Sequence, residues 1–328
     1  MEKNKDSELI KKLNKKWASG EITAKKAGGQ TNRNWVVEHK GKKFFVRLPW
    51  ETDVLNREIE AENILALSRN KKLKGILPKY YLYILNGRNI LSFKKEKFDL
   101  PSGAMMMEYI PGKVFNWALF KKKDFQEKLA RMFWIFHHSG VRFVNKYNVF
   151  FDELGKYRIA ARKYPFQKII NSSFVEYLER IEKEADSMIP IGKGTPAHND
   201  FILQNFLIGK NGKIYLLDFE YAGMNQKGGY LYDFAFLFAD NFFRYSSSQP
   251  VFENFLEAAD KIYGHRLDRG RIYWLSLAVS VMQIWWALLR YFDVSDQEEK
   301  EYFKDYIQKR TRAIKKIEKI AKNTSKNE

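Results

Sequence analysis

Residues 195–223 read TPAHNDFILQNFLIGKNGKIYLLDFEYAG, and this stretch decides the chemistry and, through it, the fold. Asp200 follows His198-Asn199, Asn205 stands at the fifth position after it, and Asp218-Phe219-Glu220 comes after two short apolar runs. Those runs, Phe206-Leu207-Ile208 and Ile214 to Leu217, flank Lys210-Asn211-Gly212, a strand-turn-strand signature. Phosphoryl transfer needs a carboxylate to orient and deprotonate the attacking hydroxyl, and further oxygens to hold Mg²⁺ against the phosphates. The spacing casts Asp200 as that base and Asn205 and Asp218 as metal ligands, with Glu220 in the same group. Asn and Asp are common in loops, so a lone Asp-x-x-x-x-Asn would mean little. The complete string carries the assignment, and His198 reads as a structural brace for the loop.

Working outward, Ala24 to Pro49 reads as a hairpin with a Gly28-Gly29 turn, strands at Trp35 to Glu38 and Lys43 to Leu48, and a polar turn at His39-Lys40-Gly41. Val54 to Leu67 has helical spacing. Strand-like stretches follow at Lys79 to Leu85, Ile90 to Phe93 and Ala104 to Tyr109, the last stopped by Pro111-Gly112. Beyond Gly112 the pattern is mainly helical, clearest at Asp124 to His138 with its stripe of Phe125, Leu129, Met132, Phe133 and Phe136. The tail from Lys309 to Glu328 reads as a helix fraying into a disordered end.

The chain has 328 residues with 58 Lys+Arg against 39 Asp+Glu, a formal charge of +19 that favours anionic ligands. No nucleic-acid motif accompanies that charge, which argues against nucleic acid as the main ligand. The lack of cysteine excludes disulfides, thiolate metal sites and cysteine nucleophiles, and fits a cytoplasmic location. Met1 to Lys16 is charged throughout, without the apolar stretch of a signal peptide. Ile272 to Leu289 has the length of a membrane span, but Ser276, Ser280 and Gln283, continued by Arg290, form one polar stripe. We expect a buried core helix with that stripe on a cleft.

The string His-Asn-Asp…Asn-Phe-Leu…Leu-Asp-Phe-Glu-Tyr-Ala-Gly resembles the choline/ethanolamine kinases, within the aminoglycoside phosphotransferase-like superfamily. The resemblance implies an α+β, bilobal protein-kinase-like fold. Its parts would be a small N-terminal antiparallel-sheet lobe (1–110), a larger mainly helical catalytic lobe (111–310) and the basic tail (311–328). Gly28-Gly29-Gln30-Thr31-Asn32 resembles the family's turn over the ATP phosphates; on its own Gly28-Gly29 is a turn and Arg47 a strand charge. By resemblance, Arg47 is the phosphate-binding cation paired with Glu58, and the backbone at Glu108 and Ile110 binds the adenine edge. ATP and Mg²⁺ are the implied cofactors.

For the acceptor, the resemblance offers Tyr221, Asp233, Asp240, Tyr245 and one tryptophan of Trp285-Trp286. A quaternary ammonium ion donates no hydrogen bond and needs aromatic faces beside a carboxylate. Trp286 lies nearer the polar stripe and is the expected cage residue. Two departures bear on the pocket: Gln226 to Tyr232 lengthens the loop before Asp233, and Gln283 stands where a further tryptophan is expected. The expected reaction is phosphorylation of choline or a related amino alcohol. Thiamine, aminoglycosides or sugars are the alternative acceptors, and a silent nucleotide-binding protein or a surface-binding role for the charge are the alternative classes.

Overall fold

The computed structural model describes residues 23–27, 32–39, 41–49, 56–91, 100–245 and 248–327. They divide into two compact units. One holds the described residues up to Val114 with Val141–Val144 and Asn205–Tyr221; the other holds Phe115–Gly140, Asn145–Gln204 and the chain from Ala222 onward.

In chain order the first elements are β1 (Thr23–Ala27), β2 (Asn32–His39), β3 (Lys42–Pro49), α1 (Arg57–Arg69), β4 (Tyr80–Leu85), β5 (Arg88–Asn89), β6 (Met105–Glu108) and β7 (Gly112–Val114). Next come α2 (Trp117–Phe120), α3 (Lys123–His137), β8 (Lys146–Tyr147), α4 (Lys156–Ala161) and α5 (Ser172–Met188). The rest comprises β9 (Ile191–Ala197), β10 (Phe206–Gly209), β11 (Ile214–Leu216), β12 (Gly223–Lys227), α6 (Leu231–Arg244), α7 (Ser248–Tyr263), α8 (Arg269–Asp293) and α9 (Gln297–Asn327).

The first unit is built on a sheet in the order β1-β2-β3-β6-β4-β5, with antiparallel neighbours throughout. Strand alternation sends Val46 and Leu48 of β3 to one face, where they pack with Val37, Leu82, Ile84 and Met106. The residue between them, Arg47, therefore points to the other face, toward α1. That helix starts where the Asn56 side chain accepts the Glu58 and Ile59 N–H groups, a cap worth about 1 kcal/mol. Its spacing then turns Glu60, Ala61, Asn63, Ile64 and Leu67 inward.

A smaller sheet orders β11-β10-β7. Gly112 lies opposite Gly209, and a Cβ on Gly112 would sit 2.1 Å from the Ile208 carbonyl oxygen, so only glycine lets β7 close on β10. The strand expected to stop at Pro111-Gly112 ends at Glu108, and the further short strand β7 begins at Gly112. The short strand after β4 is Arg88–Asn89, earlier than the expected Ile90 to Phe93, whose last two residues lie outside the described ones. The Gly28-Gly29 turn is also outside them.

In the second unit α8 is the central element, packed by α9, α6, α5 and α4. By length and composition it could cross a membrane, yet 89% of its apolar window is buried within the protein. Of the stripe expected on a cleft, Ser276, Ser280 and Gln283 are buried and Arg290 is half-buried. Ser276 and Ser280 donate to the carbonyls of Ile272 and Ser276, 2.7 and 2.8 Å away, so their hydroxyls are satisfied by their own helix. The expected frayed tail is helical through Asn327. Ala313, Ile314, Ile317 and Ala321 are buried, and Ser325 accepts the Trp274 indole N–H at 2.9 Å.

Candidate active site

Five charged side chains meet in the first unit. Arg47, 3% exposed, donates to Glu60 and to the Gly103 carbonyl (3.3 Å), and its Nη1 lies 3.7 Å from Asp218 and 3.9 Å from Glu220. Arg57 and the Tyr83 hydroxyl each donate to the second Glu60 oxygen at 2.7 Å. Burial works against the Arg47 charge, but Glu60, Glu220 and Asp218 outweigh it and hold its pKa above the ordinary value. Burial likewise opposes the Glu60 charge, and Arg47 and Arg57 overcome it, holding Glu60 below the usual carboxylate range.

Glu60 therefore replaces Glu58 as the partner of Arg47. Glu58 follows the cap on the exposed face of α1, whereas Glu60 lies two residues on, nearly half a turn round, on the face turned to β3. Gly103, at φ +89°, also belongs to this arrangement: a Cβ there would lie 2.8 Å from the Arg57 side chain. Arg57-x-x-Glu60 spacing was the signal for the true pair.

Asp218 is the carboxylate this cluster leaves unsatisfied, beside the unsatisfied Arg47 Nε and Arg57 Nη2. Its backbone is left-handed (φ +63°), and its buried Oδ1 makes no hydrogen bond. Burial pushes its pKa up and Glu60 adds to that, with Arg47 and Arg57 offsetting. Three carboxylates against two guanidiniums leave one negative charge in excess, which suits a divalent cation. Asn205 stands nearby because its carbonyl accepts the N–H of Leu217, next to Asp218, at 2.9 Å. Among the described residues no three of His, Cys, Asp and Glu group as a metal site. Asp218 and Asn205 would supply two protein ligands, the pattern of Mg²⁺ that keeps water and phosphate oxygens. Glu108 closes β6 with its N–H on the Lys79 carbonyl (2.8 Å), and Ile110 follows outside either strand. Gly28, Gly29 and Thr31 lie outside the described residues, and of Asn32 only the backbone, opening β2, is described.

In the second unit the segment carrying Asp200 is clamped from α6. Asp233 accepts the backbone N–H of His198 (3.0 Å) and of Asn199 (2.9 Å), and takes a third bond from His137 Nε2 at 2.8 Å. Burial holds the His137 pKa down despite Asp233, so the neutral ring donates to Asp233 and accepts from the Tyr263 hydroxyl at 2.6 Å. Asn199 is left-handed (φ +64°), and Asn225 donates to its side-chain oxygen at 2.8 Å. The lengthened loop is itself pinned: Lys227 reaches the carbonyls of Asp186 and Ile189 at the end of α5. Asp233, which by resemblance ends this loop, clamps the backbone of His198 and Asn199. His198 is fully buried and stacks on Phe201.

The acceptor candidates separate. Asp240 is buried and bound by Arg244 and Arg310, each 3.3 Å from Oδ1, so its charge is already balanced. Trp286 packs edge-on against Phe303 and Tyr306 of α9, at 5.6 and 5.8 Å. Tyr245 stacks on Trp117 at 4.6 Å and lines a groove of about 330 Å³ with Phe243, Arg244, Tyr302, Asp305, Tyr306 and Lys309. Neither Asp240 nor Trp286 lines it. Tyr302, Asp305 and Tyr306 were missed in the sequence, although their 3 and 4 spacing marks one face of a helix. Tyr221 belongs to the first unit and is half-buried.

A model of the choline/ethanolamine kinase family matches residues 24–261. Protein LicA of Haemophilus influenzae is 22% identical over 302 residues, 88% of this chain and 78% of that protein. Among solved structures, choline kinase LicA from Streptococcus pneumoniae is 20% identical, with a TM-score of 0.70 over 93% of this chain and 98% of that one. A LicA structure in complex with AMP, also 20% identical, has a TM-score of 0.71 over 94% and 98%. The expected protein-kinase-like fold is therefore present: an antiparallel sheet in the N-terminal part and helices beyond it. This chain belongs to the choline/ethanolamine kinase family and is a small-molecule kinase, a phosphotransferase with an alcohol group as acceptor.

Proposed function

We propose that the protein transfers the γ-phosphoryl group of ATP directly to the hydroxyl of choline or a related amino alcohol. The observation that carries the acceptor reading is the groove of Phe243, Tyr245, Tyr302 and Tyr306, with the Asp305 carboxylate on its wall. Aromatic faces attract a quaternary ammonium that offers no hydrogen-bond donor. Asp305 is itself paired with Lys309 at 2.7 Å, so the rings carry the reading, and Trp286 backs Tyr306.

Asp200 orients the acceptor hydroxyl and takes its proton as the oxygen attacks the γ-phosphorus and ADP leaves. Asn205 and Asp218 hold Mg²⁺, which when bound draws charge from the phosphate oxygens. Arg47 meets the phosphates with a guanidinium fixed by Glu60 and Glu220. Gly28, Gly29, Thr31 and Asn32 cover the phosphates, and the backbone of Glu108 and Ile110 meets the adenine; the AMP complex of LicA supports nucleotide use. A cytoplasmic location, where ATP is available, completes the reading.

ADP release measured with amino alcohols, thiamine, aminoglycosides and sugars tests it. Saturable turnover of choline or a close analogue is expected; turnover of only a member outside the amino alcohols sinks the acceptor and spares the kinase. Asp200→Ala should lose about 10³-fold or more in kcat, and retained activity would overturn its role as base.

A further inference from the structure

The three most exposed large apolar side chains among the described residues are Phe151 (71%), Ile191 (68%) and Ile159 (65%), and all lie in the second unit. Single exposed apolar residues are ordinary, whereas grouped ones mark an interaction surface. Here the fold groups them. One wide helical turn, Phe150–Gly155, runs directly into α4, so Phe151 and Ile159 share a continuous helical stretch. The inner side of α4 carries the buried Tyr157 and Ala161. Ile159 falls at the middle of the opposite side, with the exposed Lys156 and Lys163 within about 60° of it. Lys227 joins this stretch to β9: its ammonium lies 5.6 Å from the centre of the Phe150 ring, and its backbone pairs with Ile191. The exposed Lys193 stands two residues further along β9.

The neighbouring acidic groups are already engaged. Asp152 accepts the Asn148 N–H at 2.7 Å, Asp186 holds Lys227 at 2.6 Å, and Glu182 and Glu179 bind Arg158 and Arg162. Among the described residues no such ion pair holds Lys156, Lys163 or Lys193. We infer that this face, with the apolar Phe151, Ile159 and Ile191 beside those three lysines, docks the protein on an anionic lipid bilayer. The bilayer interface supplies both halves of what the face presents: an acyl boundary for the apolar tips and headgroup phosphates for the ammonium groups. Nucleic acid would meet the lysines but gives isoleucine no ring to stack with. A two-fold contact between copies would bring the same lysines against one another. None of the residues assigned to phosphoryl transfer takes part, so the inference stands apart from the acceptor reading.

Sedimentation of the full-length protein with phosphatidylcholine vesicles, with and without about one-third phosphatidylglycerol, tests it. The protein should bind the mixed vesicles, release them as salt is raised, and leave phosphatidylcholine alone unbound. Lys156→Gln with Lys163→Gln should weaken binding about 25-fold, about fivefold for each lysine. Phe151→Ser with Ile159→Ser should weaken it about tenfold or more, while Phe151→Leu keeps it within about threefold. All these side chains are exposed, so the variants should melt with the parent, which separates lost docking from lost fold. Should the paired serines destabilise the turn, Ile191→Ser reads the same face from β9 and should weaken binding about threefold. Equal binding to both kinds of vesicle, none to either, or binding that the double variants leave unchanged overturns the inference. So does binding abolished by neutralising Lys315, Lys316 and Lys319, which would move the lipid contact to α9. A dimer that the paired serines dissociate, with vesicle binding untouched, would instead assign the face to a second copy.

Discussion

Arg47 in the first unit and Arg310 in the second are both buried, and their surroundings differ in one respect that separates an open charge balance from a closed one. Arg47, 3% exposed, faces three carboxylates, one of which, Asp218, keeps an oxygen without a hydrogen bond. Arg310, 1% exposed, faces one carboxylate, which it shares with Arg244. Its remaining contacts are the Ala239 carbonyl (3.0 Å), the Tyr306 hydroxyl (3.1 Å) and the Phe243 ring 4.0 Å away. The first cluster is short of positive charge and suits a metal ion and a nucleotide; the second is closed upon itself. A buried arginine is therefore informative only with its charge balance attached.

The largest effect expected from this comparison is at Asp218. Asp218→Ala should lower kcat about 10²–10³-fold and weaken Mg²⁺-dependent nucleotide binding in calorimetry; normal binding and turnover would remove the metal from this cluster. Next come the arginines themselves. Arg47→Met should raise KM for ATP and lower kcat together. Arg310→Met should destabilise the protein by about 3 kcal/mol, read by urea denaturation, while the folded enzyme keeps its kcat within about threefold. If Arg310→Met were instead stable and inactive, the contrast would collapse.

A finer test lies within α1. Glu60→Gln should lose stability and phosphate affinity, whereas the exposed Glu58→Gln should stay within about 0.5 kcal/mol of the parent. Because the folded pKa of Glu60 is depressed, its contribution is complete above the unfolded value of 4.5 and is lost as pH falls through the folded one. Acid denaturation profiles of Glu60→Gln should thus be flatter below pH 4.5. Glu153 gives the opposite and smallest signature. Its pKa is raised, so its stabilising contribution is complete below 4.5 and lost as pH rises to about 7. Glu153→Gln should remove that decline.

The sequence was most legible where chemistry fixes spacing along one segment. The hairpin between Asn205 and Asp218 was readable from the string that also offers Asp200, Asn205 and Asp218 as the proposed site, because hairpin length is set locally by turn residues. Partners across the fold were less so. Glu58 and Glu60 carry the same side chain two positions apart on the same helix, and the choice between them depends on where Asn56 starts that helix. Asp240 had the right offset for a pocket carboxylate, but Arg310, 70 residues later, neutralises it. The groove residues Tyr302, Asp305 and Tyr306 lay in a stretch whose helical continuity into the tail was not foreseen.

By itself, then, the sequence determined the family and the alternation that turns Arg47 away from the hydrophobic face of β3, and it supplied the string on which the proposed phosphoryl-transfer residues rest. These are consequences of local geometry and of residue types that few other reactions require. Tertiary structure alone decided which partner each carboxylate finds: Glu60 over Glu58 on Arg47, Asp233 on the backbone before Asp200, Asp240 on Arg244 and Arg310, Asp305 on Lys309. A side chain's charge is written in the sequence, but the net field at a site sums over neighbours brought there from distant positions, and that sum exists only once the chain has folded.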